Sequence, residues 1–367
     1  MGLGINAFTV FQPRLIGIRE FTHSQASWLT TVRSIFSLLS LNAAERCCRR
    51  FGVRNTMLTG DLLFSVSCTC YAMSNSWGWN LAAAALCGMG YGLGGMIPAS
   101  LVLKRCFAVH QGLALGIAAA GSGVAAVAAP PLLTWIIAGT GLEFAFMLEG
   151  ILGVIAALSV FLLIRVPYEV NGVTVERLSS GQKSEPVMLP VMGGVFLIGV
   201  SAGPGFSHLS VLYDNAGMEP MKVSILIAYL GGVLLLGKVL YGWMCDKLGS
   251  YYAGLLAYGS LTLGLFLCCL AHLQQTWCMY MSSTLLGLGL PLASVALPVF
   301  ADDFSTEEGF PFHLRRINIL YMLGSLCFGP VPGILADATG SYVISYLMFG
   351  MLTLLSASLM YWAYSKK

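Results

Sequence analysis

Apolar runs of about 20 residues recur from one end of the chain to the other. As a helix, such a run covers about 30 Å, the thickness of a bilayer's hydrocarbon core. Spans are expected at 25–45, 55–74, 79–103, 110–138, 143–165, 188–212, 222–245, 252–271, 276–300, 314–336 and 342–363. The runs are continuous, whereas strands of a membrane barrel alternate apolar and polar residues over about ten positions. Only 10% of the 367 residues are charged and 57% are hydrophobic, against about 25% charged in soluble domains. The expected class is therefore an all-α membrane protein. A twelfth span lies at the start, MGLGINAFTVFQPRLIGI. The residues before Arg14 reach only about 20 Å as a helix, so this first helix is expected to be short or truncated, or the natural chain to begin upstream. The stretch lacks the basic segment and cleavage site of a secretory signal.

Lysine and arginine set the orientation. With the N-terminus cytoplasmic, the inside segments carry Arg46, Arg49, Arg50, Arg54, Lys104, Arg105, Arg165, Arg177, Lys183, Lys247, Arg315, Arg316, Lys366 and Lys367. The outside segments carry Arg14, Arg19 and Lys222. Both termini are thus expected in the cytoplasm. The net charge of +3 reflects this bias and implies no nucleic-acid partner. The 11 cysteines lie mostly in the spans without zinc-site spacing and read as buried thiols.

The most polar interior segment is VPYEVNGVTVERLSSGQKSEP, 166–186. It divides the chain into a six-helix half at 1–165, a cytoplasmic linker and a six-helix half at 187–367. Shifting the first half by 197 positions lays Arg49–Gly52 on Asp246–Gly249, Gly90 on Gly287 and Gly92 on Gly289. Two repeated halves related by an axis along the membrane normal are a transporter design.

The stretch GKVLYGWMCDKLG (237–249) resembles the loop signature of the major facilitator superfamily, Gly-x-x-x-Asp-Arg/Lys-x-Gly. Gly242, Asp246, Lys247 and Gly249 match it. In the first-half copy, AERCCRRFGVR, Arg50, Gly52 and Arg54 match, while Glu45 replaces a glycine and Arg49 the aspartate. Glycine lets helices approach closely, and charge at the helix ends can bind in one conformation only, which gives the motif a gating role. Residues 86–133, with the ladder Gly88, Gly90, Gly92, Gly94 and Gly95, then Pro98 and the run Gly112–Gly123, resemble helices four and five of the monocarboxylate and oxalate/formate branch. FGPVPGILADATGSY (328–342) is similar to the end of its helix eleven. The resemblance covers nearly the whole chain and implies a bundle of 12 transmembrane helices.

Lys238 lies eight residues before Asp246, about 12 Å inside the cytoplasmic boundary. A cation at that depth costs about 2.5–3.5 kcal/mol on insertion scales and calls for a polar cavity and a partner; the bland alternative is snorkelling to the interface. Gly231, Tyr241, Gly242 and Cys245 share its face by helical spacing. The resemblance implies the same role: an arginine at this place in helix eight binds the substrate carboxylate, and Lys238 aligns with it. The branch's coupling aspartate, four residues earlier, falls on Leu234, and its helix-one lysine falls on Asn6. Arg33 is a second cation near mid-depth, a substrate contact or a structural partner for Asp61 or Glu149. Asn6, Gln12, Tyr91, His208, Tyr229, Asn318 and Tyr321 are the other polar candidates, and each could equally be a satisfied interhelical hydrogen bond. His208 and Glu149 are the candidates for proton coupling.

Two intramembrane cations with few buried acids favour an anionic substrate. The expected function is secondary active transport of a small organic anion, a mono- or dicarboxylate, by alternating access, as symport, antiport or uniport. The partners are that anion, protons or a counter-anion, and the lipid bilayer, for a monomer without cofactor or metal. Short loops suggest a bacterial inner membrane. An enzyme is disfavoured: the spans hold no metal constellation and no Gly-x-Ser-x-Gly elbow. The alternative is a non-transporting sensor or assembly partner with a transporter fold.

Overall fold

A segment that crosses hydrocarbon must satisfy its own backbone hydrogen bonds, and among the described residues the chain does so with helices and no strand. The computed structural model describes residues 2–95, 98–99, 111–164, 188–305 and 310–366. The expected linker at 166–186 lies outside the described residues. The chain divides into two compact units, Met1–Thr174 and Val175–Lys367.

The first unit holds α1 (Gly2–Arg19), α2 (His23–Phe51), α3 (Val53–Met73), α4 (Trp77–Gly94), α5 (Gln111–Thr140) and α6 (Leu142–Leu163). The second holds α7 (Met188–Ser207), continued after a break by α8 (Leu209–Asn215), then α9 (Pro220–Leu248) and α10 (Ser250–Cys268). It goes on with α11 (Thr276–Gly289) and α12 (Ala296–Asp303), α13 (Phe310–Phe328) and α14 (Val331–Thr339), and α15 (Val343–Ser365). Among the described residues seven helices are long and apolar enough to cross a membrane, and an eighth if the pair Thr276–Ala293 and Ala296–Asp303, bent by 44°, counts as one span. The helices below that apolarity are α1 to α4. The expected short first helix runs on through Pro13 and Arg14 to Arg19, 18 residues in all, or about 27 Å.

Local chemistry explains how the less apolar α2 is accommodated. Its hydroxyls bond back to its own carbonyls: Ser27 to His23, Thr30 and Thr31 to Ser27, Ser34 to Thr30 and Ser40 to Phe36. Each serine or threonine thereby enters the bundle with its donor satisfied.

The glycine ladder of α4 resolves into two stripes. A Cβ on Gly88 would strike the Arg33 carbonyl, and one on Gly92 would lie 2.8 Å from the Ser37 carbonyl, so these two face α2. A Cβ on Gly90 would lie 2.7 Å from the Gly60 carbonyl, and one on Gly60 would strike the Gly94 backbone, so Gly90 and Gly94 face α3. In this way α4 is held between α2 and α3, while α6 packs on α3 and α1 on α5.

In the second unit α11 packs against both α9 and α10, and α7 against both α13 and α15. Here the contacts correct the repeat register. Gly287 meets Val233 of α9 and Gly289 meets Leu261 of α10. Gly90 faces α3, the counterpart of α10, so its equivalent is Gly289 rather than Gly287. The 197-residue shift holds at the preceding turn and slips by two residues in α4 and α11.

At that turn the two units agree closely. Gly52 joins α2 to α3 with φ 84° and ψ 153°, and Gly249 joins α9 to α10 with φ 87° and ψ 153°. This backbone region is in practice open only to glycine. The amides bond to the carbonyls of Cys48 and Cys245, each at 3.1 Å. Gly242 behaves otherwise: a Cβ there would meet nothing within 4 Å. The close approach expected of it falls instead to Gly237, whose Cβ would lie 2.6 Å from the Gly287 carbonyl. Gly249→Ala is therefore expected to lower stability by about 1–3 kcal/mol, and Gly242→Ala, in a helix interior with open space for the Cβ, to raise it by up to about 1 kcal/mol. Thermal unfolding of the purified variants checks both; equal losses would remove the distinction.

Candidate functional site

Lys238 stands on an exposed side of α9, with Leu236 and Val239 beside it 70% and 71% exposed. Of the residues expected on its face, Gly231 and Tyr241 are buried and Cys245 is half-buried. Among the described residues, Lys238 forms no ion pair.

Arg33 is half-buried on α2 in the first unit. Its guanidinium carbon lies 4.6 Å from the centre of the Phe8 ring, a cation–π contact. Its Nη1 is buried without a hydrogen-bond partner, and among the described residues it forms no ion pair with Asp61 or Glu149. Phe8 also meets Tyr71 and Tyr71 stacks on Phe146, one turn before Glu149, while Gly88, one turn before Tyr91, packs on the Arg33 backbone. The fold thus gathers Arg33, Tyr91 and Glu149 of the sequence-predicted set into one region of the first unit. Glu149 is 3% exposed with Oε1 unpartnered. Gln12, on α1 one turn beyond Phe8, is fully buried with neither amide atom bonded. Asn6 lies on the same helix, its side chain outside the described residues.

His208 is fully buried at the α7–α8 break. Its Nδ1 lies 3.1 Å from the Pro204 carbonyl and 3.2 Å from Ser207 Oγ, and its ring faces Tyr342 at 6.1 Å. The chain turns into α9 one short helix beyond it, so Lys238 lies about 16 Å farther from that end of the unit. The structure does not bring the two together. Tyr229 bonds Thr284 Oγ1 of α11 at 2.9 Å and meets the Tyr280 ring edge-on. Exposed Asn318 donates to the Leu314 carbonyl of its own helix. Tyr321 is half-buried on α13, its backbone pressed against Gly199 of α7.

The loop motif shows two chemistries on one backbone. Arg50 lies 5.4 Å over the Phe51 ring and Arg54 5.1 Å over the Phe161 ring of α6. Asp246 and Lys247 are exposed and, among the described residues, form no ion pair. The side chains of Glu45 and Arg49 lie outside the described residues.

Arg19 is the polar anchor that the sequence reading missed, since it entered there only as an outside charge. Its side chain is 1% exposed. Nη1 donates to the Ser74 carbonyl at 2.9 Å and to Asn80 Oδ1 at 3.0 Å, and Nη2 to the Tyr71 carbonyl at 2.7 Å. Glu143 lies 4.0 Å away and the Phe146 ring 5.7 Å. One side chain thus ties the end of α1 to α3, α4 and α6. Asn80, polar within the apolar opening of α4, is the only sequence signal of it.

The sequence profile of the Major Facilitator Superfamily matches residues 1–315. Monocarboxylate transporter 13 of Rattus norvegicus is 22% identical over 356 residues, covering 94% of this chain and 81% of that protein. MFS-type transporter 1 of Ophiocordyceps sp. is 22% identical over 381 residues, covering 97% and 80%. Among solved structures, the nucleoside transporter NupG has a TM-score of 0.79 at 11% identity, covering 98% of this chain and 96% of that one. A bacterial homolog of the human lysosomal transporter Spinster has 0.79 at 14%, covering 99% and 93%. At such identities the structural likeness speaks to the fold alone.

Arg19 is tested without any substrate. Arg19→Gln removes the guanidinium donor from the Tyr71 carbonyl, Asn80 Oδ1 and the Ser74 carbonyl, which keeps Asn80 Nδ2, and is expected to cost about 2–3 kcal/mol. Glu143→Gln, at a half-exposed partner, is expected to cost less than about 1 kcal/mol. Thermal unfolding separates the two; a mild Arg19→Gln would refute the anchor.

Proposed function

The chain belongs to the Major Facilitator Superfamily, and on that premise we propose that it carries a small organic anion, a mono- or dicarboxylate, by alternating access. It is a multi-pass membrane transporter and not an enzyme. The observation that carries the finer reading is that two cations within expected spans, Lys238 and Arg33, one in each unit, form no ion pair among the described residues. Arg33 Nη1 is buried and unbonded. A cation at that depth is kept only where something compensates it, and a transported anion does so when bound.

In this reading Lys238 of the second unit and Arg33 of the first are each proposed as an anion contact. Lysine supplies charge without the bidentate fork of arginine. Tyr91 lies one turn beyond Gly88, which packs on the Arg33 backbone, and is proposed to line the same region. Of the two titrating candidates the reading keeps Glu149, which is buried with an unbonded oxygen. His208 is engaged by its own helix. Transport is then symport with a proton. Gating is assigned to the charges at the Gly249 turn, Asp246 and Lys247. Both termini are placed in the cytoplasm by the lysine and arginine bias. The relatives named above, mammalian and fungal, favour a eukaryotic membrane over the bacterial one that loop length suggests.

Lys238→Ala is expected to weaken anion binding at least about 30-fold, the lower end of what removing one partner of a desolvated charge pair costs. Lys238→Arg should retain part of it. Ligand-induced thermal stabilisation of wild type and variants, across mono- and dicarboxylates, reads this directly. Equal stabilisation of wild type and Lys238→Ala would move the site away from Lys238. A wild type stabilised by no carboxylate would overturn the substrate class and favour the non-transporting alternative. Asp246→Asn is expected to slow uptake into vesicles with little change in KM; an unchanged maximal rate would remove the gating role.

A further inference from the structure

The second unit carries a groove between α7, α13 and α15 that the transport reading does not use. Its volume is about 830 Å³, within the range of about 300–1,000 Å³ typical of ligand pockets. Leu189 and Phe196 of α7, Ile319 and Leu320 of α13 and Leu359 of α15 give it apolar walls, and Arg316 is the charged residue in its described lining. We propose that this groove binds an anionic phospholipid, with an acyl chain along the apolar walls and the phosphate on Arg316.

The placement of residues along the helices gives the depth. Arg316 precedes Ile319 and Leu320 by one turn, toward the end of the unit where α7 and α13 begin. At that same end α15 finishes, and Tyr361 and Trp362 follow Leu359 within one turn. These two aromatics are 58% and 47% exposed, and exposed tyrosine and tryptophan near the end of a span mark headgroup level. The apolar walls therefore run inward from headgroup level, and the guanidinium sits where a phosphate belongs. Under the proposed topology this is the cytoplasmic leaflet.

Charge and supply both select the occupant. A hydrophilic anion gains nothing from the leucine, isoleucine and phenylalanine walls. A zwitterionic lipid satisfies the walls but brings its own cation to the guanidinium. An anionic phospholipid satisfies both, and basic pockets between transmembrane helices are a recurring way to hold such headgroups. A guanidinium has five N–H donors in a planar fork suited to phosphate, so it can hold one alongside the contacts Arg316 makes within the protein. The bilayer supplies the ligand at high concentration.

The test uses the purified full chain in detergent, with phosphatidylglycerol and phosphatidylcholine of identical acyl chains. Phosphatidylglycerol is expected to raise the unfolding temperature of the wild type by about 3 °C or more over phosphatidylcholine. Arg316→Gln should abolish that preference and Arg316→Lys keep part of it. Arg315→Gln, at the exposed neighbour, should leave it intact. Leu359→Trp fills the groove and should cut the preference without touching any charge, so the proposal stays testable if Arg316→Gln does not fold. Equal stabilisation by the two lipids would overturn the site. So would loss of the preference in Arg315→Gln to the same degree, which would mean diffuse surface charge. Full stabilisation by glycerol phosphate without acyl chains, or an unchanged preference in Leu359→Trp, would equally exclude the groove. A carboxylate that competes with phosphatidylglycerol for the wild type would reassign the groove to substrate.

Discussion

The first unit depends on the close approach of α4 to both α2 and α3. Lipid tails are as apolar as leucine, so helices in a bilayer gain little from hiding apolar side chains against each other. They associate through packing, and packing is tightest where no Cβ intervenes. Gly88 and Gly92 let α2 in, and Gly90 and Gly94 let α3 in. The same contact bears on function. Gly88 lies against the carbonyl of Arg33, so the residue that removes steric bulk from α4 also fixes where the cation leaves α2. The Arg33 guanidinium then rests on Phe8 of α1.

A second constraint is the economy of polar groups. In the second unit hydroxyls pair across helices: Tyr213 with Ser282, Tyr258 with Ser356, and Tyr346 with the Gly205 carbonyl. Ser356 in turn donates to the Gly194 carbonyl. The first of these bonds ties α8 to α11 and the others hold α7, α10 and α15 together, all without any charge. Both units nevertheless hold buried side-chain atoms without a hydrogen bond, Tyr241, Thr262 and Ser345 among them in the second, and in the first unit they include charged groups. Gln12, Arg33 Nη1, the Tyr71 hydroxyl and Glu149 Oε1 are all buried and unbonded, on four different helices. Buried polar atoms are satisfied as a rule, by protein, water or ligand. A region where four helices each contribute an unsatisfied atom is where water, a proton or a substrate has its physical justification.

Apolar run length was enough to place the seven apolar spans of the described residues, because crossing a bilayer demands length and little else. It was least informative for α1 to α4, where α4 meets α2 and α3 through glycine contacts and α1 is tied in by Arg19. The glycine ladder was visible in sequence, but its division between two partner helices was not, since spacing does not say which neighbour stands on which face. The repeat register failed by two residues for the same reason: sequence identity aligned glycines that face different helices. Arg19 was hidden because a basic residue at a helix end satisfies the topology rule whether it points into water or into three carbonyl and amide acceptors. Lys238 and Arg33 were legible because a cation inside an apolar run has a cost that composition alone exposes. Their surroundings were not, since these come from other helices.

The two copies of the loop motif separate what the fold needs from what function adds. Gly52 and Gly249 share φ, ψ and amide hydrogen bond almost to the degree and the tenth of an ångström. A single residue there reverses the chain between two long helices, and only glycine reaches that conformation without strain. The charges around it have no such geometric compulsion. In the first copy the arginines lie on aromatic rings, Phe51 and Phe161, and the position expected to hold aspartate holds Arg49. In the second, Asp246 and Lys247 stand exposed beside the same turn. Loss of the acidic partner from the first copy therefore leaves the architecture whole. If conformational switching draws on charge at these turns, the second unit supplies it, and the first unit's arginines act as packing residues whose stems and planes cover aromatic surface.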